Sequence, residues 1–176
     1  MIELTPLSGK YFGVLFEWER DEKLQGLVGR GKKLSFTAFS ELWYELIARC
    51  KNCYYIILDD KLPIGFCNIY NIDRKNKNAE IGYYIGDDRY RFKGKGRIFL
   101  KKLLQIAFYE HNLHKIYAKT FGTNAGNIKF LKSFGFKEEG YLREDKFEDG
   151  QYEDVVIFGL LEKEFRRFIG MGDELI

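Results

Sequence analysis

The sequence predicts a mixed α/β fold, an α+β arrangement in which amphipathic helices pack against one central sheet. Alternating apolar residues at 79–85 and again at 115–120 indicate two strands, and residues 97–111 between them carry a helical period. A strand, a helix and a strand in that order require a parallel pair with a right-handed crossover. An Asp-Gly turn at 149–150 between two apolar runs indicates an antiparallel hairpin. Parallel and antiparallel pairs are therefore expected in the same sheet.

Apolar periodicity divides the chain into elements in the order β-α-α-β-β-β-α-β-α-β-β. The predicted strands are residues 2–5, 54–58, 63–72, 79–85, 115–120, 136–147 and 152–161. The predicted helices are residues 8–20, 37–50, 97–111 and 124–134. Ser8, Thr37 and Asn124 can cap three of these helices, and Gly135 follows the last one as a left-handed residue. Residues 21–33 mix charge with glycine and are predicted to form a loop with room for about one helical turn.

Length and composition fit a single domain, because the chain has 176 residues and 45% of them are hydrophobic. We expect residues 1–164 to form this domain and residues 165–176 to form a tail that could pack as a short helix. The net charge is only +3, whereas domains that bind nucleic acid are usually far more basic. No nucleic-acid partner is therefore predicted.

Membrane, disulfide and metal classes are also disfavoured. No apolar segment is long enough to span a bilayer, and the first residues lack the features of a signal peptide, so a cytoplasmic protein with no membrane partner is expected. Cys50, Cys53 and Cys67 are too few for a disulfide framework, and we expect reduced thiols. His111 and His114 lie at a predicted helix end without a cluster of cysteines or carboxylates, so no metal site is predicted.

The strongest candidate for a ligand site is a glycine loop between the strand 79–85 and the helix that follows it. Its residues are Arg91, Phe92, Lys93, Gly94, Lys95, Gly96 and Arg97. Glycines permit positive φ and let a ligand approach the backbone, and a helix N-terminus adds N–H groups and partial positive charge. Basic side chains surround the loop. We therefore expect a cofactor that carries a pyrophosphate.

The glycine spacing excludes two other nucleotide-binding motifs. A P-loop has four residues between its glycines and then Lys before Ser or Thr, whereas one residue separates Gly94 from Gly96 here. A Rossmann fingerprint has Gly or Ala three residues after its second glycine, and this sequence has Phe99 there. The spacing fits the pattern Arg/Gln-x-x-Gly-x-Gly/Ala instead.

This hexapeptide and three further motifs resemble the GNAT-type acyl-CoA N-acetyltransferases, in particular the branch with ribosomal-protein and polyamine acetyltransferases. The further motifs are Asn124–Asn127, Lys132–Phe136 and Glu139–Arg143. The resemblance extends from Ile2 to about Glu164 and implies the GNAT fold, a mixed sheet with a splayed parallel pair and helices on both faces. It also implies acetyl-CoA as co-substrate, with direct attack by the acceptor amine in a ternary complex.

The resemblance places further cofactor contacts on the strand before the loop and at the Asn motif, at Tyr83, Ile85, Asn124 and Asn127. It implies a primary amine as acceptor, either a small molecule such as a polyamine or amino sugar or a protein N-terminus, and it allows a homodimer. Residues 18–40 would form one wall of the acceptor site. Acids that a polyamine enzyme could use cluster nearby, at Glu17, Glu19, Asp21 and Glu22.

Glu80 is the candidate general base, because Ala79-Glu80-Ile81 matches the strand that carries the base in histone-acetylating members of the family. Alternation places Glu80 on one face with Gly82 and Tyr84, where partial desolvation would raise its pKa. The structural alternative is a glutamate that is solvated or paired with a lysine on a neighbouring strand.

Two positions depart from the family pattern. Lys119 stands where some protein-acetylating members have glutamate, and Leu131 stands where many members have a tyrosine that acts as general acid. These departures keep open an alternative function, a non-catalytic module that binds or senses acyl-CoA.

Overall fold

One seven-stranded sheet organises the computed structural model, which describes residues 1–29, 33–91, 93–148 and 150–172. The strands are β1 (Ile2–Pro6), β2 (Cys53–Asp59), β3 (Leu62–Asp73), β4 (Asn78–Ile85), β5 (Lys115–Phe121), β6 (Lys137–Glu148) and β7 (Gln151–Leu161). The helices are α1 (Phe12–Trp18), α2 (Glu22–Val28), α3 (Phe36–Ala48), α4 (Lys95–Gln105), α5 (Ala125–Ser133) and α6 (Glu162–Gly172). The spatial order is β1-β2-β3-β4-β5-β7-β6. β4 and β5 are parallel and the other neighbours are antiparallel, which confirms the predicted mixed sheet.

The parallel pair separates part-way along its length. β4 and β5 pair from Asn78 with Lys115 to Ile81 with Ala118. β4 continues to Ile85 while still paired with β3, and β5 continues to Phe121 while paired with β7. The two strands therefore diverge after Ile81 and Ala118, and the predicted splayed pair is confirmed. Backbone groups of β4 that face β5 beyond this point have no strand to bind within the described residues.

Apolar side chains pack on both faces of the sheet, as predicted. On one face, α4, α5 and α6 cover Ala79 and Ile81 of β4 and bury Phe99, Leu131 and Phe165. The opposite face holds a second, aromatic core between α1, α3 and strands β2 and β3. Its largest members include Phe12, Trp18, Phe39, Trp43 and Phe66. The sheet is consequently sandwiched, and the diverging ends of β4 and β5 lie at the margin between the two cores.

The prediction of a loop over residues 21–33 is wrong for its first part, which forms α2. The side chain of Asp21 caps α2 by accepting hydrogen bonds from the backbone N–H groups of Lys23 (2.9 Å) and Leu24 (3.2 Å). Leu24 is buried and anchors the helix to the aromatic core. α2 ends at Gly29, whose φ is +89°. Residues 30–32 lie outside the described residues.

Helix ends differ from the predictions in two further places. Ser35 caps α3 by accepting from the N–H of Ala38, so the cap lies two residues before the predicted Thr37. Ser8 precedes a 3-10 turn (Gly9–Tyr11) that leads into α1, and its side chain makes no capping bond to a described residue. Asn124 and Gly135 act as predicted, since Asn124 caps α5 and Gly135 follows α5 with φ of +84°.

The last helix, α6, packs against the domain core. α6 begins at Glu162, before the predicted boundary at residue 164, and Phe165 is fully buried against Phe108 and Tyr109. The short helix that the sequence allowed is therefore present and joined to the sheet. Cys50, Cys53 and Cys67 carry free thiols, as predicted. In the described ranges, no helix has both the length and the apolar character needed to cross a membrane.

Candidate functional site

A cleft of about 1270 Å³ opens where β4 and β5 diverge. Its floor is formed by residues of β4 and β5, and α2 forms one wall. At one end lie Gly94, Gly96 and Arg97 at the start of α4, together with the start of α5. At the other end lie Glu80 and Lys119, and the last residues of β6 line the cleft on the far side of β7. The predicted glycine loop and the predicted base are thus brought to one cavity.

The glycine loop has the geometry of an anion cradle. Gly94 is the N-cap of α4 and adopts φ of +75°, and an added Cβ there would meet no described atom within 4 Å. Gly94 is therefore required for its backbone conformation, and the space beside it is open. No described side chain caps α4, so its first N–H groups are available to a bound anion.

Gly96 has a different role from Gly94. A Cβ at Gly96 would lie 3.1 Å from the ring of Phe130 on α5. Glycine here lets the first turn of α4 approach α5, which closes that end of the cleft. The two glycines of the motif are thus explained by two separate constraints, backbone conformation and helix packing.

Two of the basic residues around the loop form bonds within the protein, and one of them, Arg91, also lines the cleft. The Arg91 guanidinium donates from Nε to the carbonyl of Ile85 (2.9 Å) and forms an ion pair with Asp88. Lys95 forms an ion pair with Asp59 at 2.9 Å. Arg91 thereby fixes the loop to the end of β4, and Lys95 fixes α4 to β2.

The remaining basic residues of the loop are exposed. Lys93 is exposed, and Arg97 lines the cleft, donates to the hydroxyl of Ser133 (3.3 Å) and lies over the Phe134 ring. Phe92 was also predicted as a cofactor contact, and it lies outside the described residues. Ile85 lines the cleft at the end of β4, as the sequence predicted.

A hydrogen-bonded chain crosses the gap between β4 and α5. The hydroxyl of Tyr83 donates to Oδ1 of Asn127 (2.8 Å), and the backbone N–H of Asn127 donates to Oδ1 of Asn124 (3.0 Å). Asn124 also donates from Nδ2 to the carbonyl of Leu27 on α2 (3.5 Å). All three predicted residues line the cleft. Burial raises the pKa of Tyr83 well above its usual range, so Tyr83 stays a neutral donor.

Glu80 accepts hydrogen bonds from three side chains. Tyr70 donates to Oε2 (3.2 Å), Asn71 donates to Oε1 (3.1 Å), and the Lys119 ammonium lies 3.1 Å from Oε2. Burial acts to raise the pKa of Glu80, but the donors Asn71, Lys119 and Tyr70 outweigh it, so the pKa lies below its ordinary value. The predicted rise in this pKa is wrong. The structural alternative, a glutamate paired with a lysine on the neighbouring strand, is present.

Two buried oxygen atoms of β3 and β4 have no hydrogen-bond partner among the described residues, the hydroxyl of Tyr84 and Oδ1 of Asn68. Asn68 of β3 is paired with Gly82 of β4, and a Cβ on Gly82 would lie 2.6 Å from that Oδ1. Gly82 and Tyr84 both line the cleft. The sequence analysis missed Asn68, although an asparagine in an otherwise apolar strand signals a polar group held inside.

The acids at residues 17–22 are not the wall of the cleft. α2 presents Leu24, Leu27 and Val28 to the cavity, and Asp21 is used to cap α2 and lies 3.9 Å from Arg91. Burial raises the pKa of Glu19 to about 7. Burial and the nearby charge of Glu19 raise the pKa of Tyr84 well above its usual range. Leu131, at the position of the missing tyrosine, is fully buried. In the described ranges, no group of three or more His, Cys, Asp or Glu side chains is arranged to hold a metal ion.

Comparison with known proteins agrees with this geometry. A family model described as an acetyltransferase (GNAT) domain matches residues 2–137, which is more than half of the chain. The chain belongs to the GNAT acetyltransferase family. The branch suggested by the sequence motifs is also supported, because the relatives of this GNAT protein include ribosomal and spermidine acetyltransferases.

Two relatives of this GNAT protein each match 62% of its chain. The uncharacterized N-acetyltransferase p20 of Bacillus licheniformis is 38% identical over 110 residues, 62% of this chain and 61% of that protein. The putative ribosomal N-acetyltransferase YdaF of Bacillus subtilis is 32% identical over 111 residues, 62% of this chain and 59% of that protein. The chain thus spans about three fifths of the length of these two relatives.

A solved structure shows the same fold. The crystal structure of spermidine N-acetyltransferase from Vibrio cholerae, in complex with CoA and spermine, has a TM-score of 0.89 to this chain. The match covers 94% of this chain and 98% of the other, at 24% sequence identity.

Proposed function

We propose that this GNAT protein transfers an acetyl group from acetyl-CoA to a primary amine by direct attack in a ternary complex. The separation of β4 from β5 beside the uncapped start of α4 carries this proposal. An extended acyl chain with amide groups can bond to the free edge of a strand, and a pyrophosphate can bond to a helix N-terminus. The chain has both features in one cleft, because the free edge of β4 leads to the loop at which α4 begins.

The residues present fit acetyl-CoA as a co-substrate. The N–H groups at the start of α4, with Gly94 and Arg97, would hold its phosphates. The edge of β4 beyond Ile81, with Asn124, would hold its pantetheine arm. When bound, acetyl-CoA supplies a thioester that is activated toward amines. Arg91 contributes indirectly, since it fixes the loop to the end of β4.

Glu80 would receive the acceptor amine at the other end of the cleft. Its lowered pKa keeps the carboxylate ionised at neutral pH, and Tyr70 and Asn71 hold its orientation. An ionised carboxylate can accept a hydrogen bond from the amine and take its proton, which then passes to the solvent. Leu131 offers no proton for the departing thiolate, so the solvent would supply that proton as well.

Thiol release from acetyl-CoA in the presence of an amine panel tests the function. The panel contains spermidine, amino sugars, amino acids and peptides with free N-termini, and mass spectrometry identifies the acetylated product. We expect thiol release that depends on at least one amine. CoA binding without thiol release across the panel would favour the alternative function, an acyl-CoA-binding module.

The acceptor kinds named for the relatives correspond to the spermidine and peptide arms of the panel. One relative is a spermidine acetyltransferase and another is a putative ribosomal acetyltransferase. A homodimer and a cytoplasmic location stay predictions for this chain. Sedimentation analysis of the purified protein measures the first of these directly.

A further inference from the structure

The charged side chains at the acceptor end of the cleft are of both signs and do not form a group of acids. Glu80 and Lys119 line this end, and an acid and a lysine of β6, Glu148 and Lys146, line the cleft farther along the sheet. Glu80 is already paired with Lys119, and Glu148 is not without a partner either. A linear polycation is usually held by several carboxylates whose charge is not neutralised by the protein. This end of the cleft does not provide such a group among the described residues.

The wall formed by α2 does not provide it either. Its residues in the cleft are apolar, with Leu24, Leu27 and Val28 facing the cavity. Asp21 is committed to its capping bonds and to Arg91. Burial raises the pKa of Glu19 to about 7, so this carboxyl is only partly charged near neutral pH. The acids that suggested a polyamine in the sequence therefore bond to other groups of the protein or do not line the cleft.

The two members of the central ion pair lie at different depths. The side chain of Glu80 is 16% exposed, whereas that of Lys119 is 43% exposed. Glu80 is also close to Gly82, where β4 and β5 diverge and where the thioester is expected under the proposed function. Lys146 of β6 is exposed and lies opposite Glu153 of β7, four residues along that strand from the partner of Lys119. The ion pair thus presents its carboxylate inside and its ammonium group toward the mouth of the cleft.

We infer that the acceptor is a small amine that carries an anionic group, a carboxylate or a phosphate, close to its nitrogen. The amine would bond to Glu80, and the anion would bond to Lys119. Each charge of the ion pair then exchanges one opposite charge for another, so no charge is left buried and unpaired. This inference rests on the proposed function and specifies its substrate.

Matched amines that differ only in the anionic group test the inference. The pairs are γ-aminobutyrate with γ-aminobutyramide, 2-aminoethyl phosphate with ethanolamine, and glucosamine 6-phosphate with glucosamine, and spermidine serves as the polycation. The first pair tests a carboxylate and the other two test a phosphate. We expect kcat/KM from thiol release to be about tenfold or more higher for the anionic member of at least one pair, mainly through KM, as a charge-assisted bond gives. Spermidine should be a poor acceptor.

Two variants assign that preference to Lys119. Lys119→Met removes the ammonium group and should reduce the preference for the anionic amine about tenfold, with unchanged CoA affinity. Lys119→Arg keeps a cation at this position and should retain the preference. Lys163→Met on α6 is the matched control for removal of one lysine charge, and its preference should equal that of the wild type.

The possible failures of this experiment are distinguishable. No thiol release with any amine would overturn the proposed function and the inference with it. Equal or faster release with spermidine or the neutral amines would overturn the inference alone. A preference for anionic amines that survives Lys119→Met would also overturn it, because Lys119 would then not be the anion site.

Discussion

The ammonium of Lys119 lies 3.1 Å from one carboxylate oxygen of Glu80 and 3.2 Å from the other. The pair bridges the last part of the parallel ladder, because Glu80 precedes Ile81 and Lys119 follows Ala118, the final paired residues. The bridge keeps Glu80 ionised where the two strands begin to diverge. Lys119 occupies the position at which some family members have a glutamate.

Glu80→Gln tests whether this carboxylate takes the amine proton. Glutamine keeps the size of the side chain but cannot accept the proton, so kcat/KM at neutral pH should fall by about 10²–10⁴-fold. Because the pKa of Glu80 lies below its ordinary value, the wild-type rate should show no break from this group between about pH 6 and 8. The loss should shrink as the pH approaches the pKa of the amine itself. A pH–rate profile of both proteins with one acceptor measures these effects.

Thermal melts separate this role from a structural one. A lowered carboxyl pKa stabilises the fold above the ordinary pKa, and that stability is lost as the pH falls through the folded-state value. Glu80→Gln should therefore lower the melting temperature at neutral pH and approach the wild type at acidic pH. Turnover close to wild type at pH 7, with CoA affinity retained, would exclude Glu80 as the base.

Glu19→Gln should stabilise the protein in a pH-dependent way. Burial raises the pKa of Glu19 to about 7, so the folded protein retains a proton that the unfolded chain releases above the ordinary carboxyl pKa. This group therefore stabilises less and less as the pH rises through that window. The free energy of unfolding of Glu19→Gln should exceed that of the wild type by about 1–3 kcal/mol at pH 8. At pH 4.5 and below, the difference should be close to zero.

Urea unfolding at several pH values measures this difference, with Glu17→Gln at an exposed neighbour as the control for removal of one charge. A Glu19→Gln protein that is less stable than wild type at pH 8 would show that the ionised carboxylate has a stabilising contact.

Local pattern was sufficient for the strand–helix–strand unit and the C-terminal hairpin, because each has its own period and turn residues. It was insufficient for α2, where Gly26 and scattered charge suggest a loop. The helix forms because Asp21 caps it and Leu24 is buried in a core supplied by distant strands. Ser35 and Thr37 are equally good caps by type, and only the position of α3 in the fold selects Ser35.

The residues of the candidate site could be predicted from the sequence, but the ion pairs that their charged side chains form could not. Lys119 is 39 positions from Glu80, and only the register of β4 with β5 brings the two together. Arg91 and Lys95 illustrate the same limit. Their proximity to the glycine loop suggested phosphate contacts, and the fold adds ion pairs with Asp88 and Asp59, of which Asp59 comes from a strand far away in sequence.

Gly94→Val should weaken CoA binding by about tenfold or more while the protein remains folded. The φ of +75° at Gly94 is strained for any residue with a Cβ, and a branched side chain would fill the open space beside the helix N-terminus. Isothermal titration with CoA measures the affinity.

Gly135→Val is the matched control, because Gly135 also has a positive φ, of +84°, but follows α5 away from the cradle. It should lose stability yet keep its CoA affinity, and equal affinities for Gly94→Val and the wild type would exclude the cradle.

Tyr84→Phe should leave the fold at least as stable as the wild type and still reduce turnover. The Tyr84 hydroxyl is buried, and no described residue bonds to it, which typically costs about 1–3 kcal/mol. Removing the hydroxyl removes that cost while its ring keeps its contacts with Trp18 and Phe66. If the acceptor supplies the missing partner, kcat/KM should fall about 10- to 100-fold, the effect of one hydrogen bond to a charged group. Thermal melts and steady-state kinetics with one acceptor measure the two effects separately.

Tyr83→Phe gives the contrast in stability, because it breaks the bond to Asn127 and should lower the melting temperature. A Tyr84→Phe protein with lower stability and wild-type turnover would show that the hydroxyl has a structural partner instead.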